Sequence, residues 1–66
     1  MRLKVNGKPL EAEPGTTVRS LLEGLALPSP RVAVAVNGEV SPRSEHAQRV
    51  LREGDEIEVI HAVAGG

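Results

Sequence analysis

Two histidines, four serines and a Gly-Gly end are the residues of this 66-residue sequence that invite a chemical reading. His46 and His61 stand far apart without ligand-like spacing, and there is no cysteine to complete a zinc site. Ser44-Glu45-His46 holds three residue types of a hydrolase triad, but neighbours on one short loop cannot face one another as a triad must, so the segment is read as surface. None of the serines sits in a nucleophile elbow. Gly7, Gly15, Gly24 and Gly38 occur singly, as turn or helix-end residues, and do not form a phosphate cradle. What is left is the carboxylate of Gly66. With a pKa of about 3.3–3.7 it is ionised at neutral pH. It is a poor acyl electrophile, because its leaving group would be an oxide. It is a competent nucleophile toward the α-phosphorus of ATP, and the resulting acyl-adenylate offers AMP as a leaving group. A sulfur nucleophile that displaces AMP leaves a thiocarboxylate, a better nucleophile than the carboxylate it replaces. Gly65 and Gly66 lack side chains, so with Val63 and Ala64 they can thread a narrow channel into a partner's active site. Residues 62–66, fully extended, reach at most ~16–18 Å.

The rest of the composition says what else must come from partners. There are no aromatic residues and no cysteines, so the core is aliphatic, disulfides are excluded, and the chain cannot hold sulfur as its own persulfide. A net charge of −1 with mixed signs, and no aromatic to stack a base, argues against nucleic-acid binding. No apolar run approaches the ~20 residues of a membrane span, and Met1-Arg2-Leu3-Lys4-Val5 has no apolar segment behind it, so the cytoplasm is the expected location. The protein is expected to bind no cofactor or metal of its own, and to use ATP only through an activating partner.

The elements that present this end are legible from pattern. Leu3 and Val5 alternate with Arg2 and Lys4 as a half-buried strand, and Asn6-Gly7 is a two-residue hairpin signal. Lys8 to Glu13 returns as a second strand, placed at an edge because Pro9 has no amide donor. Pro14-Gly15 ends it. Thr16 or Thr17 then caps a helix, without a full capping box because Ser20, not Glu or Gln, stands three residues after Thr17. Val18, Leu21, Leu22 and Leu25 form one apolar stripe over two to three turns, with Arg19 and Glu23 paired on the wet side. Pro28-Ser29-Pro30 blocks continuation. Val32 to Val36 is an inner strand, its valines toward the helix and Ala33 and Ala35 outward. Asn37-Gly38 turns into a brief return at Val40, Arg43 to Gln48 is irregular, and Arg49-Val50-Leu51 reads as a short edge strand. Glu56 to His61 is the last strand. A hairpin, a helix crossing over, and further strands make an α+β fold, with one helix on one face of a mixed four- to five-stranded sheet. The crossover pairs the first and last strands in parallel at the centre, with Arg2 and Lys4 beside Glu56 and Glu58. Residues 1–61 are the domain and 62–66 a flexible tail.

These residues together resemble one family. Val5-Asn6-Gly7, Thr17-Val18 with Leu21-Leu22, Val34-Ala35-Val36-Asn37-Gly38, Pro42-Arg43, Leu51 with Gly54-Asp55, Glu58-Val59 and the final Gly65-Gly66 follow the order of the ThiS family, sulfur carriers of thiamine biosynthesis, over the full length. The resemblance implies a ubiquitin-like β-grasp. It implies a carrier rather than an enzyme, with Gly66 adenylated by a ThiF-type enzyme and converted to a thiocarboxylate. Sulfur would come from a cysteine desulfurase or rhodanese type of donor and pass to thiazole synthase, ThiG, for the thiazole ring. The tail also resembles MoaD, the sulfur carrier of molybdopterin synthase, though a proline pair usual there is replaced by His61-Ala62. A carrier for tRNA thiolation, a ubiquitin-like modifier and a plain binding module share parts of the same pattern. The outer sheet face, centred on Ala33, Ala35 and Ile60, is the expected docking surface, and the free protein is expected to be a monomer.

Overall fold

Both Asn-Gly pairs form tight turns with every central residue in the left-handed region: φ is 51° and 82° at Asn6 and Gly7, and 53° and 82° at Asn37 and Gly38. Positive φ at both central positions matches the twist of the flanking strands, which is why these pairs close hairpins in two residues. The computed structural model describes residues 1–26 and 32–61, the last by its backbone alone. The Asn6-Gly7 turn joins β1 (Arg2–Val5) to β2 (Lys8–Glu11), pairing Leu3 with Leu10 and Val5 with Lys8. The Asn37-Gly38 turn joins β3 (Val32–Val36) to β4 (Glu39–Ser41), pairing Val36 with Glu39 and Ala35 with Val40. The last strand, β5 (Glu56–His61), lies between the hairpins, in the sheet order β2-β1-β5-β3-β4. It runs parallel to β1 and antiparallel to β3. Among the described residues, this five-stranded mixed sheet with one α-helix is the ubiquitin-like β-grasp that the resemblance implied, and Pro9 lies on the edge strand as expected.

Helix α1 spans Val18–Gly24 and buries Val18, Leu21 and Leu22 against Leu3, Val32, Val34, Val36, Leu51 and Ile57. Full burial of each such aliphatic side chain is worth about 1.5–3 kcal/mol, and no aromatic adds to it. The stripe is one residue shorter than expected. Leu25 is the C-cap and is 37 % exposed, because the helix stops after Gly24. Pro28-Ser29-Pro30 lies outside the described residues.

The helix start differs from expectation in an instructive way. Thr17 Oγ1 accepts from Ser20 N–H at 3.1 Å, and Ser20 Oγ accepts from Thr17 N–H at 2.8 Å. The serine hydroxyl thus supplies the return bond usually given by Glu or Gln, and the capping box is complete. The next donors find partners from afar: Val18 N–H donates to Arg49 O at 3.0 Å and Arg19 N–H to His46 O at 3.0 Å. Thr17→Ala removes the cap and is expected to lower unfolding free energy by about 1 kcal/mol, measured by denaturant titration.

Three further differences from expectation follow, and those long-range bonds explain the first two. Arg49-Val50-Leu51 is not an edge strand. It makes an isolated bridge, Thr17 with Val50, flanked by Leu51 N–H to Thr16 O at 2.8 Å. Its backbone partners are the helix entry rather than the sheet. Ser44-Glu45-His46 is not all surface. A 3-10 turn over Arg43–Glu45 carries His46 inward to 2 % exposure, where ring Nε2 lies 3.0 Å from the carbonyl oxygen of Ser41. Finally, Lys4 does sit beside Glu56, but Arg2 pairs with Glu11 on β2 at 3.5 Å, not with Glu58. The parallel register sets Arg2 level with Gly54, whose N–H donates to Arg2 O at 2.8 Å. The Arg2–Glu11 pair is largely solvated and adds little stability.

Candidate functional site

The candidate site has two parts: the end of β5, from which the chain continues to Gly66, and the sheet face turned away from α1. The final expected residues, Val63, Ala64, Gly65 and Gly66, lie outside the described residues, as does the boundary placed at residue 62. What the structure does place is their point of departure. Strand β5 outruns β1. Its pairing with β1 covers Lys4 with Glu56 and Val5 with Ile57, whereas its pairing with β3 continues through Ala33 with Ile60 to Val32 with His61.

The turn asparagines hold both ends of this central strand. At its start, Asn37 N–H donates to Glu56 O at 2.7 Å, and Asn37 Oδ1 accepts from Glu56 N–H at 2.9 Å. Asn37 Nδ2 also donates to Asp55 Oδ1 at 3.0 Å. Toward its end, Asn6 N–H donates to Ile57 O at 2.8 Å, and Asn6 Oδ1 accepts from Val59 N–H at 2.9 Å.

On the outer face the three expected docking residues come together across neighbouring strands. Ala33 and Ile60 are register partners, both exposed, Ile60 at 61 %. Ala35 is half-buried and pairs with Glu58 on one side and Val40 on the other. Val40 is 75 % exposed and belongs to the same apolar strip, which sequence reasoning missed. The signal was available: a two-residue turn at Asn37-Gly38 fixes Val40 opposite Ala35, with side chains about 4.5–5.5 Å apart. Glu58 and Glu56 border the strip, with Lys4 opposite Glu56 on β1. Ala33 opposite Ile60 and half-buried Ala35 opposite Val40 make an apolar strip across three strands, a surface suited to another protein's apolar patch.

The other chemistry-bearing residues do not assemble. His46 Nε2 faces a backbone carbonyl, and the buried hydroxyl of Ser41 has no hydrogen-bond partner among the described residues, so the ring does not activate that serine. Among the described residues no group of His, Cys, Asp and Glu could hold a metal ion, and no helix is long and apolar enough to cross a membrane.

Comparison with known proteins then decides the family. The ThiS family model matches residues 3–66, a match that includes Gly65 and Gly66. The chain belongs to the ThiS family. It is 33 % identical over 66 residues to the sulfur carrier protein ThiS of Escherichia coli, covering all of both chains. It is 44 % identical over 66 residues to a thiazole synthase of Magnetococcus marinus, covering all of this chain and 20 % of that protein. The crystal structure of the thiamine biosynthesis protein ThiS from Geobacter metallireducens superposes with a TM-score of 0.86 at 33 % identity, covering all of both chains. The chain therefore spans about a fifth of the thiazole synthase and the full length of the two ThiS proteins.

Proposed function

We propose that this ThiS-family protein carries sulfur on the carboxyl group of Gly66 and delivers it for the thiazole ring of thiamine. The observation that carries the reading is that the family match runs through Gly65 and Gly66 on a body similar end to end to a sulfur carrier protein. A ThiF-type enzyme supplies ATP in the cytoplasm. A Gly66 carboxylate oxygen attacks the α-phosphorus, and pyrophosphate leaves. The outer sulfur of a persulfide on a donor of cysteine desulfurase or rhodanese type then attacks the acyl carbon. The C–O bond to AMP breaks and an acyl disulfide to the donor forms. A thiol of the donor system cleaves its S–S bond, ending as a disulfide with the donor sulfur, and Gly66 ends as a thiocarboxylate. Delivery of that sulfur at thiazole synthase, ThiG, breaks the acyl C–S bond, and an oxygen from water takes its place on the acyl carbon, which returns the carboxylate. The protein itself is a co-substrate: it has no cysteine to hold the sulfur, so donor and nucleotide site belong to partners.

The Val40, Ala35, Ala33 and Ile60 strip docks the body against these partners, while residues 62–66 enter the active site. That a thiazole synthase contains a stretch similar to this whole chain supports ThiG as the acceptor. A deletion strain tests the pathway. It is expected to require thiamine for growth, to be rescued by the wild-type gene, and not to be rescued by a gene lacking the Gly66 codon. Growth of the deletion strain without thiamine would overturn the assignment.

A further inference from the structure

The sheet ends in two edge strands, β2 and β4, and only one of them is closed. A strand residue turns its N–H and C=O toward one neighbour, and the side alternates along the strand. On β3, Asn37 N–H donates to Glu56 O at 2.7 Å, so by alternation Ala35 and Ala33 bond to β5 while Val36 and Val34 bond to β4. Val40 stands opposite Ala35 and so receives no backbone bond from β3. Its own N–H and C=O point away from the sheet, and no described residue takes either.

The same alternation gives the opposite result at β2. Lys4 N–H donates to Asp55 O at 3.0 Å and Asn6 N–H to Ile57 O at 2.8 Å, so Leu3 and Val5 are the residues that bond to β2. Pro9, opposite Lys4, takes the outward position there, and proline has no N–H to offer a further strand. Such a proline keeps an edge from pairing. β4 carries no such guard at Val40. Instead its exposed side chain joins the edge to the apolar strip of Ala35, Ala33 and Ile60.

We infer that β4 is a strand-addition edge: an extended segment of the adenylating partner pairs with the backbone of Val40 and lays apolar side chains against the adjoining strip. This rests on the sulfur-carrier reading and deepens it. A protein that covers the strip also reaches the edge, because Val40 belongs to both. A strand added there continues the pleat, so its side chains on the outer face fall in line with Val40 and Ala35. A second copy of this chain is the poorer occupant. β4 has three residues, with Gly38 before it and Pro42 after it, so two copies paired at Val40 would exchange one pair of hydrogen bonds. The area covered would fall well short of the roughly 1,200 Å² of a specific interface. One pair of backbone bonds added to the strip suits a carrier that is released after each transfer.

Replacing a single amide by an ester in the full-length synthetic chain tests this, because it exchanges one N–H for oxygen and keeps every side chain. An ester at Val40 removes the outward donor of β4. An ester at Glu11 is the matched control, removing the outward donor of β2. Carboxyl activation is read as ATP–pyrophosphate exchange with the cognate adenylating enzyme, well below the melting temperature of each variant. The Val40 ester should raise KM for the carrier at least about fivefold, and the Glu11 ester should leave it within about twofold. In wild-type protein the Val40 amide should exchange hydrogen freely when the carrier is alone, and at least about tenfold more slowly with saturating enzyme. If wild-type protein supports no ATP–pyrophosphate exchange, the sulfur-carrier reading falls and the β4 role with it. If wild-type protein is active and the Val40 ester matches it, or if both esters raise KM equally, the β4 role alone is overturned. Protection of the Val40 amide that grows with the concentration of the carrier alone would make a second copy the occupant and overturn the assignment to the enzyme.

Discussion

A chain lengthened by one residue beyond Gly66, and not trimmed back, is expected to give no detectable ATP–pyrophosphate exchange with the adenylating enzyme. One extended residue moves the terminal carboxylate by about 3.3–3.6 Å. A misplacement of only 1 Å at a reacting centre can cost about a hundredfold in rate, so a shift of this size puts the nucleophilic oxygen out of line altogether. The carbonyl left at Gly66 is an amide, whose oxygen carries no formal charge with which to attack phosphorus. Stability should not change, because the core lies between Leu3 and Ile57. Thermal melting that coincides with wild type, together with lost exchange, would separate loss of chemistry from loss of fold. Retained activity of the unprocessed extension would show that the working group lies elsewhere.

Two glutamate substitutions three residues apart on β5 should behave oppositely. Ile60 is 61 % exposed on the outer face, and Ile57 is 1 % exposed in the core. Ile60→Glu should leave unfolding free energy within about 0.5 kcal/mol of wild type, as exposed substitutions do. It should nonetheless raise KM for the adenylating enzyme at least about tenfold, because a carboxylate would stand in the proposed apolar docking strip and beside the acidic Glu58. Ile57→Glu should abolish folding. Burying an unpaired carboxylate costs several kcal/mol, against a total stability of about 3–10 kcal/mol for a chain of this length. Circular dichroism and titration of the enzyme with each variant check both results. If Ile60→Glu unfolds the protein, the strand phase is wrong; if it binds as wild type, the apolar strip is not the docking surface.

Much of this architecture was legible because local rules and tertiary packing agreed. Asn6-Gly7 and Asn37-Gly38 could form little other than two-residue hairpins, and those hairpins fixed the register of four strands. The alternation in Val32–Val36 and the stripe Val18, Leu21, Leu22 identified the two faces of the core. The outer strip followed from the same alternation, except for Val40, whose membership needed the cross-strand register and not only its own strand. The misreadings cluster where the backbone bonds over long range. His46 is polar and flanked by polar residues, yet it is buried, because its own carbonyl caps the helix start and its ring meets the Ser41 carbonyl. Arg49 to Leu51 has the residue pattern of a strand but spends its hydrogen bonds on Thr16 and Val18. Ser20 completes a capping box that the usual Glu or Gln pattern would not reveal. The asparagine side chains were counted only as turn formers, although Asn6 and Asn37 also complete the pairing of β5. Nothing local to residue 6 points to Val59.

The central claim is that Gly66 itself becomes the sulfur-bearing group, and intact mass spectrometry tests it most directly. Incubated with ATP, the cognate adenylating enzyme and a sulfur donor, the protein should gain about 16 Da, the difference between oxygen and sulfur, with the change confined to the fragment ending at Gly66. An unchanged mass, with an enzyme and donor shown to be active on another carrier, would contradict the account.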